Sequence, residues 1–353
     1  MAERRRERRN VLQTVDDSEL LRRYRLDRAG IMFVTDLIRD ALTLPTQRRN
    51  AIMPEMKVIT TLRYLATGKM QQCSSDDLGL SQPSVSRVIT QTITALSEPL
   101  IVSTFPLDIP TLQAQKTAFV NIAGFPGVVG VIDGTHIRII APSKEEDVYI
   151  NRKRYHSINV QVVFSADYTI LDIVAKWPGA THDARILAES GLRHLFEGHR
   201  IPAYCHLLGD SGYPCKPWLL TLYLRPEQGS QLNYNRAHKK TRAVVERGIG
   251  QLKRRFHILH GEVRLAPGKV CKVITACAVL HNICKARQIA DPPTDNWADE
   301  EDDEEYPPQG RDLSQRMVLE QLQQKAGNEA LRAEGRTSAM PTVPIPLLKA
   351  QCY

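Results

Sequence analysis

VVGVIDGTHIRII, Val128–Ile140, is a run of branched apolar residues that breaks at Asp133, Gly134, Thr135 and His136 and then resumes. Apolar residues fill both alternating sets of positions, so the run predicts a central strand with both faces covered. A carboxylate in such a strand is costly to desolvate unless a cation meets it. Asp133 is therefore either a polar residue in a strand-end turn or a metal ligand on rigid backbone. The second reading needs more carboxylates from later in the chain.

Later segments supply them. Residues 158–164 and 170–177 alternate and flank a turn at 166–169, a hairpin. Pro178 and Gly179 break the pattern. Thr181 is expected to cap a helix that holds His182 and Asp183 and runs to about Phe196. HLLGDSGY (206–213) reads as a short strand ending in Asp210 and a glycine turn. TRAVVERGIGQLKRRF (241–256) reads as a helix with Val245, Ile249, Leu252 and Phe256 on an apolar stripe and Glu246 beside it. A last buried helix is expected over about 270–286.

Three consecutive strands, a helix and a fourth strand is the ribonuclease H-like order. There the fourth strand returns parallel beside the first, so Asp133 and Asp210 become neighbours. A helix crossing that edge can deliver Glu246. Carboxylates gathered in this way repel one another unless divalent cations sit between them. Two such ions about 4 Å apart can activate a water and stabilise the leaving oxygen in phosphodiester cleavage. An all-oxygen set suits Mg²⁺. Each residue also has a purely structural reading. Glu246 can pair with Arg242 one turn earlier, Asp210 can be a turn residue, and Asp183 can sit at a helix N-terminus. His136 and His182 read as local hydrogen-bonding residues.

Upstream, Pro54 opens a helix through Leu65 that ends at Gly68, and a short helix over 75–78 closes at Gly79. Ser81 then caps a helix over 82–96 with Val85, Val88, Ile89 and Ile93 on one face. Helix, glycine-containing turn and Ser-capped helix is the pattern of a helix-turn-helix. Gln82, Ser84, Ser86 and Arg87 would then reach base edges and phosphates, although such units also serve simply to pack. Other helical patterns run from Ser18 to about Ala41. Residues 99–127, with a short helix near 111–123, read as a hinge. The expected domains are a basic tail (1–17), a helical domain (18–123), a catalytic domain (124–288), and an acidic linker, short helix and disordered tail (289–353).

The net charge of +8 hides an asymmetry: residues 291–310 hold nine acidic residues and no Lys or Arg. Outside that window 47 basic residues face 30 acidic ones, a balance of +17 that suits a polyanionic partner. Arg152, Lys153, Arg154, Lys253, Arg254 and Arg255 flank the acidic motifs and can hold phosphates. The arginines within residues 4–9 suit a nuclear import signal or a phosphate-binding arm. No apolar run of about 18 residues is present, so no transmembrane helix is expected. No h-region follows the basic start, so secretion is not expected. Seven cysteines without tight spacing fit a reducing compartment. Cys277, His281 and Cys284 share a helix face without a partner Cys-x-x-Cys, and read as a buried face before a zinc site.

Asp133-Gly-Thr-His, Trp-Pro-Gly…Thr-His-Asp (177–183), Gly-Asp-Ser-Gly-Tyr (209–213) and Ala-Val-Val-Glu-Arg (243–247) together resemble the DDE domain of PIF/Harbinger transposases. Ser-Gln-Pro-Ser-Val-Ser-Arg (81–87) and Ala-Val-Leu-His-Asn (278–282) are similar to further segments of that family, and the likeness spans roughly residues 30–290. The resemblance implies an α/β protein: a ribonuclease H-like DDE catalytic domain preceded by a helical helix-turn-helix domain. It implies divalent-metal-dependent DNA cleavage, with Mg²⁺ or Mn²⁺ on Asp133, Asp210 and Glu246, and Asp183 as an additional acidic position. It also implies a Myb/SANT-like protein partner aiding nuclear entry and DNA recognition, and a location in the nucleus as well as the cytoplasm. Strand order favours Asp210 as the direct ligand and Asp183 as an auxiliary carboxylate at the rim. An idle DNA-binding scaffold that keeps the fold is the competing reading.

Overall fold

The computed structural model describes residues 11–43, 51–98 and 105–292, apart from the side chains of 74–77. The basic cluster within residues 4–9, the acidic linker from residue 293 onward and the short helix and tail expected after it lie outside the described residues.

Before the sheet come α1 (Val11–Thr14), α2 (Asp17–Tyr24), α3 (Arg28–Leu37), α4 (Arg39–Leu42), α5 (Pro54–Thr67), α6 (Gln71–Leu78), α7 (Gln82–Leu96) and α8 (Ile109–Ala123). Aspartates open three of them: Asp16, Asp27 and Asp108 accept the backbone N–H of Glu19, Gly30 and Thr111 at 2.9, 2.7 and 2.9 Å. Pro54 starts α5 and a left-handed Gly68 closes it. The bounds of α7 are those expected, but Ser81 does not cap it; its hydroxyl pairs with the Ser84 hydroxyl at 2.9 Å instead. α5, α6 and α7 pack on one another, and Val85, Val88, Ile89 and Ile93 are buried. Lys57 is buried among them, donating Nζ to the Leu42 carbonyl at 2.7 Å and to Gln91 Oε1 at 2.9 Å.

Then follow β1 (Val128–Arg138), β2 (Ser157–Phe164), β3 (Ile170–Pro178), α9 (Asp183–Ala188), α10 (Gly191–Glu197), β4 (His206–Leu208), β5 (Leu219–Leu220), α11 (Ser230–Arg255) and α12 (Pro267–Ala286). The sheet order is β3-β2-β1-β4-β5. β1 and β3 run antiparallel to β2, and β4 runs parallel to β1. This is the ribonuclease H-like order. The first five residues of β1 and all of β2 are buried, as a strand covered on both faces requires. Val163 and Phe164, adjacent on β2, point to opposite faces. Val163 joins a core with Ile132, Leu187, Leu192 and Phe196. Phe164 lies against Gly248 of α11, where a Cβ would stand 2.9 Å from its ring. That missing side chain lets α11 cross close over the sheet.

Two helices differ from expectation. The single helix expected from Thr181 to Phe196 is broken into α9 and α10, because Ser190 opens a new turn by accepting the Arg193 N–H at 3.4 Å. His182, not Thr181, precedes α9, and its side chain makes no capping bond. Meanwhile α11 starts eleven residues before Thr241. Its extra turns bury polar residues: His238 donates Nε2 to the Leu220 carbonyl at 3.1 Å, and Asn235 pairs with both backbone groups of Tyr223. Polar burial of this kind erases the apolar stripe by which a helix is recognised. Ile249, expected on that stripe, is half-buried, while Val244 and Gly248 face inward.

α12 packs against both β3 and α7, and Arg25 Nε donates to the Arg255 carbonyl at 3.0 Å. Helical layer and sheet are thereby joined. No helix among the described residues is long and apolar enough to cross a membrane.

Candidate active site

The parallel ladder of β1 and β4 ends at the pair Val131 and Leu208. Asp133 and Asp210 each lie two residues further on, so the strand register brings both to the same end of the sheet. Asp133 accepts the Gly134 N–H on Oδ1 at 2.9 Å and Arg242 Nη1 on Oδ2 at 2.9 Å. Asp210 accepts the Gly212 N–H at 3.0 Å, the glycine turn read from the sequence.

Asp183 opens α9 and rests against the backbone of β1. A Cβ on Gly134 would stand 2.5 Å from its Oδ1, so any other residue there would push the carboxylate aside. Its donor is Asn159 of β2, whose Nδ2 reaches Asp183 Oδ1 and the Thr181 carbonyl, each at 2.8 Å. Two residues along β2, Gln161 pairs with Gly134 in the ladder. It is fully buried, and neither polar atom of its amide has a partner among the described residues.

The electrostatics follow from this crowding. Burial pushes the Asp133 carboxyl up to about 7; Arg242 opposes the shift, while Asp210 and Asp183 add to it. Burial also raises Asp183, with Asn159 opposing and Asp210 adding. A helix N-terminus would lower that value, so burial outweighs the dipole. Tyr213 is buried beside the group, and its phenol is raised well above its ordinary value by burial and by the three aspartates. Burial disfavours the charge on Arg242, but Asp133, Glu246 and Asp210 outweigh it and raise its pKa.

Glu246 stands apart from the aspartates. Its side chain is 54% exposed and hydrogen-bonded to Arg242 Nη2. One guanidinium thus bridges Asp133 and Glu246. Among the described residues no three His, Cys, Asp or Glu side chains are arranged to hold a metal ion. In donor chemistry the group still fits one: Asp133, Asp183 and Asp210 offer only carboxylate oxygens and feel one another's charge, with Arg242 acting on Asp133 and Asp210 and Arg152 on Asp183.

The residues singled out for DNA fall in three places. Gln82 and Arg87 are exposed near the start of α7, and Ser84 and Ser86 are half-buried there. Arg152, Lys153 and Arg154 are exposed between β1 and β2, and the charge of Arg152 acts on Asp183. Lys253 and Arg254 are half-buried in the last turn of α11. Arg255 must be corrected. It is 1% exposed, paired with Asp291, and donates to the Ala290 and Ile289 carbonyls at 3.4 and 3.3 Å. A guanidinium so enclosed is out of reach of a phosphate. Cys277, His281 and Cys284 are buried, and His281 Nε2 donates to the Tyr168 carbonyl at 2.8 Å. His136 Nδ1 shares a hydrogen bond with the Ser157 hydroxyl at 3.0 Å.

Sequence reasoning missed Asn159, Gln161 and the reach of Arg242 to Asp133. The first two carried a signal, as the only polar residues inside the otherwise apolar run INVQVVF. Arg242 carried a signal only toward Glu246, one turn away.

A 3-2-1-4-5 mixed sheet with one aspartate within the central strand β1 and another just past β4, both beyond the last β1–β4 ladder pair, defines the α/β core of a DDE-type protein. The family model described as DDE superfamily endonuclease matches residues 132–282. "Putative nuclease HARBI1" of Mus musculus is 38% identical over 276 residues, covering 77% of this chain and 79% of that protein. The Homo sapiens protein of the same name is 37% identical over 277 residues, with the same coverage. "Protein ALP1-like" of Arabidopsis thaliana is 30% identical over 244 residues, 64% of this chain and 59% of that one. No solved structure matches the chain. The chain belongs to the PIF/Harbinger transposase family of DDE superfamily endonucleases.

Proposed function

We propose that this protein is a transposase-derived, divalent-metal-dependent endonuclease that hydrolyses DNA phosphodiester bonds by a two-metal mechanism. The observation that carries the reading is the gathering of Asp133, Asp210 and Asp183 at one end of the parallel pair β1 and β4. Asp133 and Asp210 would hold Mg²⁺ or Mn²⁺ directly, with Asp183 and Glu246 completing the set. Bound there, the metal supplies charge neutralisation and activation of water at the scissile phosphate. The chain's own residues prepare the site. Asn159 fixes the Asp183 carboxylate, Gly134 gives it room, and Arg242 holds Asp133 and Glu246 in one hydrogen-bonded unit. Burial in surroundings of low polarity strengthens the interaction of each carboxylate, once ionised, with a nearby cation.

DNA binding in this reading uses Gln82, Ser84, Ser86 and Arg87 of α7, with Arg152, Lys153, Arg154, Lys253 and Arg254 taking phosphates. The protein works in the nucleus, is also present in the cytoplasm, and enters with a Myb/SANT-like partner. Nicking of supercoiled plasmid with Mg²⁺ or Mn²⁺, beside an Asp133→Asn variant, tests the reading. Nicking by the native protein alone is expected, and equal nicking by both rules this site out as its source.

A second reading, a DNA-binding scaffold without turnover, draws on Arg242, which meets part of the aspartates' charge with no metal present. Tight DNA binding with no nicking under any divalent cation would select it.

A further inference from the structure

We propose that Arg242 is a built-in counter-cation, a positioning residue that competes with divalent metal for Asp133 and keeps Glu246 away from the aspartates until metal displaces it. This rests on the reading above that Asp133 ligates metal. The geometry is a bridge. Nη1 holds Asp133 Oδ2 at 2.9 Å, and Nη2 holds Glu246 one turn further along α11. The other oxygen of Asp133 already accepts the Gly134 N–H. A divalent ion ligated by Oδ2 would therefore stand within a few ångströms of a full positive charge, in a site screened from water, where like charges repel strongly.

The two ends of the bridge are unequal. The side chain of Asp133 is 17% exposed and that of Arg242 20%, whereas Glu246 is 54% exposed. Asp133 sits on a central strand and cannot follow the guanidinium. Glu246 sits on the open face of a helix and can. Release of Nη1 from Asp133 therefore lets Arg242 turn outward with Glu246 or leave it altogether, and in the second case Glu246 is free to join the aspartates. Without such a cation Asp133 would face Asp210 and Asp183 without the positive charge that opposes its desolvation, while Arg152 would still act on Asp183. The same guanidinium thus preserves the site before metal arrives and opposes metal entry.

The test is Mn²⁺ titration by calorimetry of the full chain after chelator treatment, with Arg242→Gln, Arg242→Lys and Asp133→Asn beside the native protein. Arg242→Gln is expected to bind Mn²⁺ at least about tenfold more tightly than the native protein. Arg242→Lys, a cation without the two-armed fork, should fall between them. Mn²⁺ should also raise the melting temperature of Arg242→Gln by more than that of the native protein, because the metal-free variant lacks its counter-charge. Arg242→Gln binding no tighter than native, with Asp133→Asn unable to bind, overturns the competition and leaves the metal site standing. Unchanged affinity in Asp133→Asn overturns the metal site itself and the inference with it. Should Arg242→Gln not fold even with Mn²⁺, Arg242→Lys decides: binding no tighter than native overturns the proposal.

Discussion

The middle and the C-terminal end of α11 each carry an enclosed arginine, Arg242 and Arg255, and they do opposite things. Arg255, at the C-terminal end, meets one carboxylate and two backbone carbonyls of residues 289–291. Carbonyls bound into a chain turn have no better partner to move to, so the contact is permanent and structural. Arg242, thirteen residues earlier, meets Asp133 and Glu246 within the field of Asp210. Carboxylates in excess over cations do have a better partner, a divalent ion. Burial alone therefore does not distinguish a lock from a functional charge. What distinguishes them is whether the anions around the guanidinium are matched or left in surplus.

The largest expected effect is at the aspartates around Arg242. Asp133→Asn and Asp210→Asn should take metal-dependent plasmid nicking below detection, while Asp183→Asn, held through Asn159, should lower its rate about 10–100-fold. A variant at Asp183 as inactive as one at Asp133 would make it a direct ligand and erase the division of roles between them.

The Arg255 end should dominate stability. Arg255→Ala removes one partner of an enclosed ion pair and leaves two carbonyls unmet, at a cost of about 3 kcal/mol in urea unfolding. Arg242→Ala should cost about 1 kcal/mol or less, because Asp133, already raised to about 7, can take up a proton when its partner leaves. Equal costs at the two arginines would break the distinction between lock and functional charge.

Asp172 on β3 offers a third case, a half-buried carboxylate on which no cation among the described residues acts. Burial pushes its carboxyl up to about 6, opposed only by the Ile173 N–H, and Oδ2 has no partner among the described residues. Between about pH 4 and pH 6 the folded state then binds more protons at this group than the unfolded one, so its contribution to stability falls as pH rises through that window. Asp172→Asn should flatten this part of the melting-temperature profile and add about 1–2 kcal/mol at pH 7. An unchanged profile would mean the carboxylate reaches water.

The smallest effect is expected on α7, where Arg87 is exposed and bonded only within its own helix, to the Pro83 carbonyl and the Ser84 hydroxyl. Arg87→Ala should weaken DNA binding about 3–10-fold in low salt, with the melting temperature unchanged. A fallen melting temperature would make α7 a packing helix.

By itself the sequence determined four of the five strands of the sheet and their order; β5 (Leu219–Leu220) was not expected. Residues 128–132 are apolar on both faces, so β1 had to be central, and the hairpin, helix and short strand after it left one ribonuclease H-like order. It also determined the bounds of α7, the burial of its apolar face, the place of Asp133 on the central strand and that of Asp210 just after β4. These are local properties, written in spacings of two to four residues and in Pro and Gly at element ends. Tertiary structure alone decided what each charge meets. Arg242 reaches Asp133 across 109 positions, Asn159 rather than a helix turn holds Asp183, and Arg255 folds inward although it closes a run of three basic residues. No local spacing encodes such pairs. A charge's partner, and hence its role, is set by which elements the close crossing of α11 over β2 brings together.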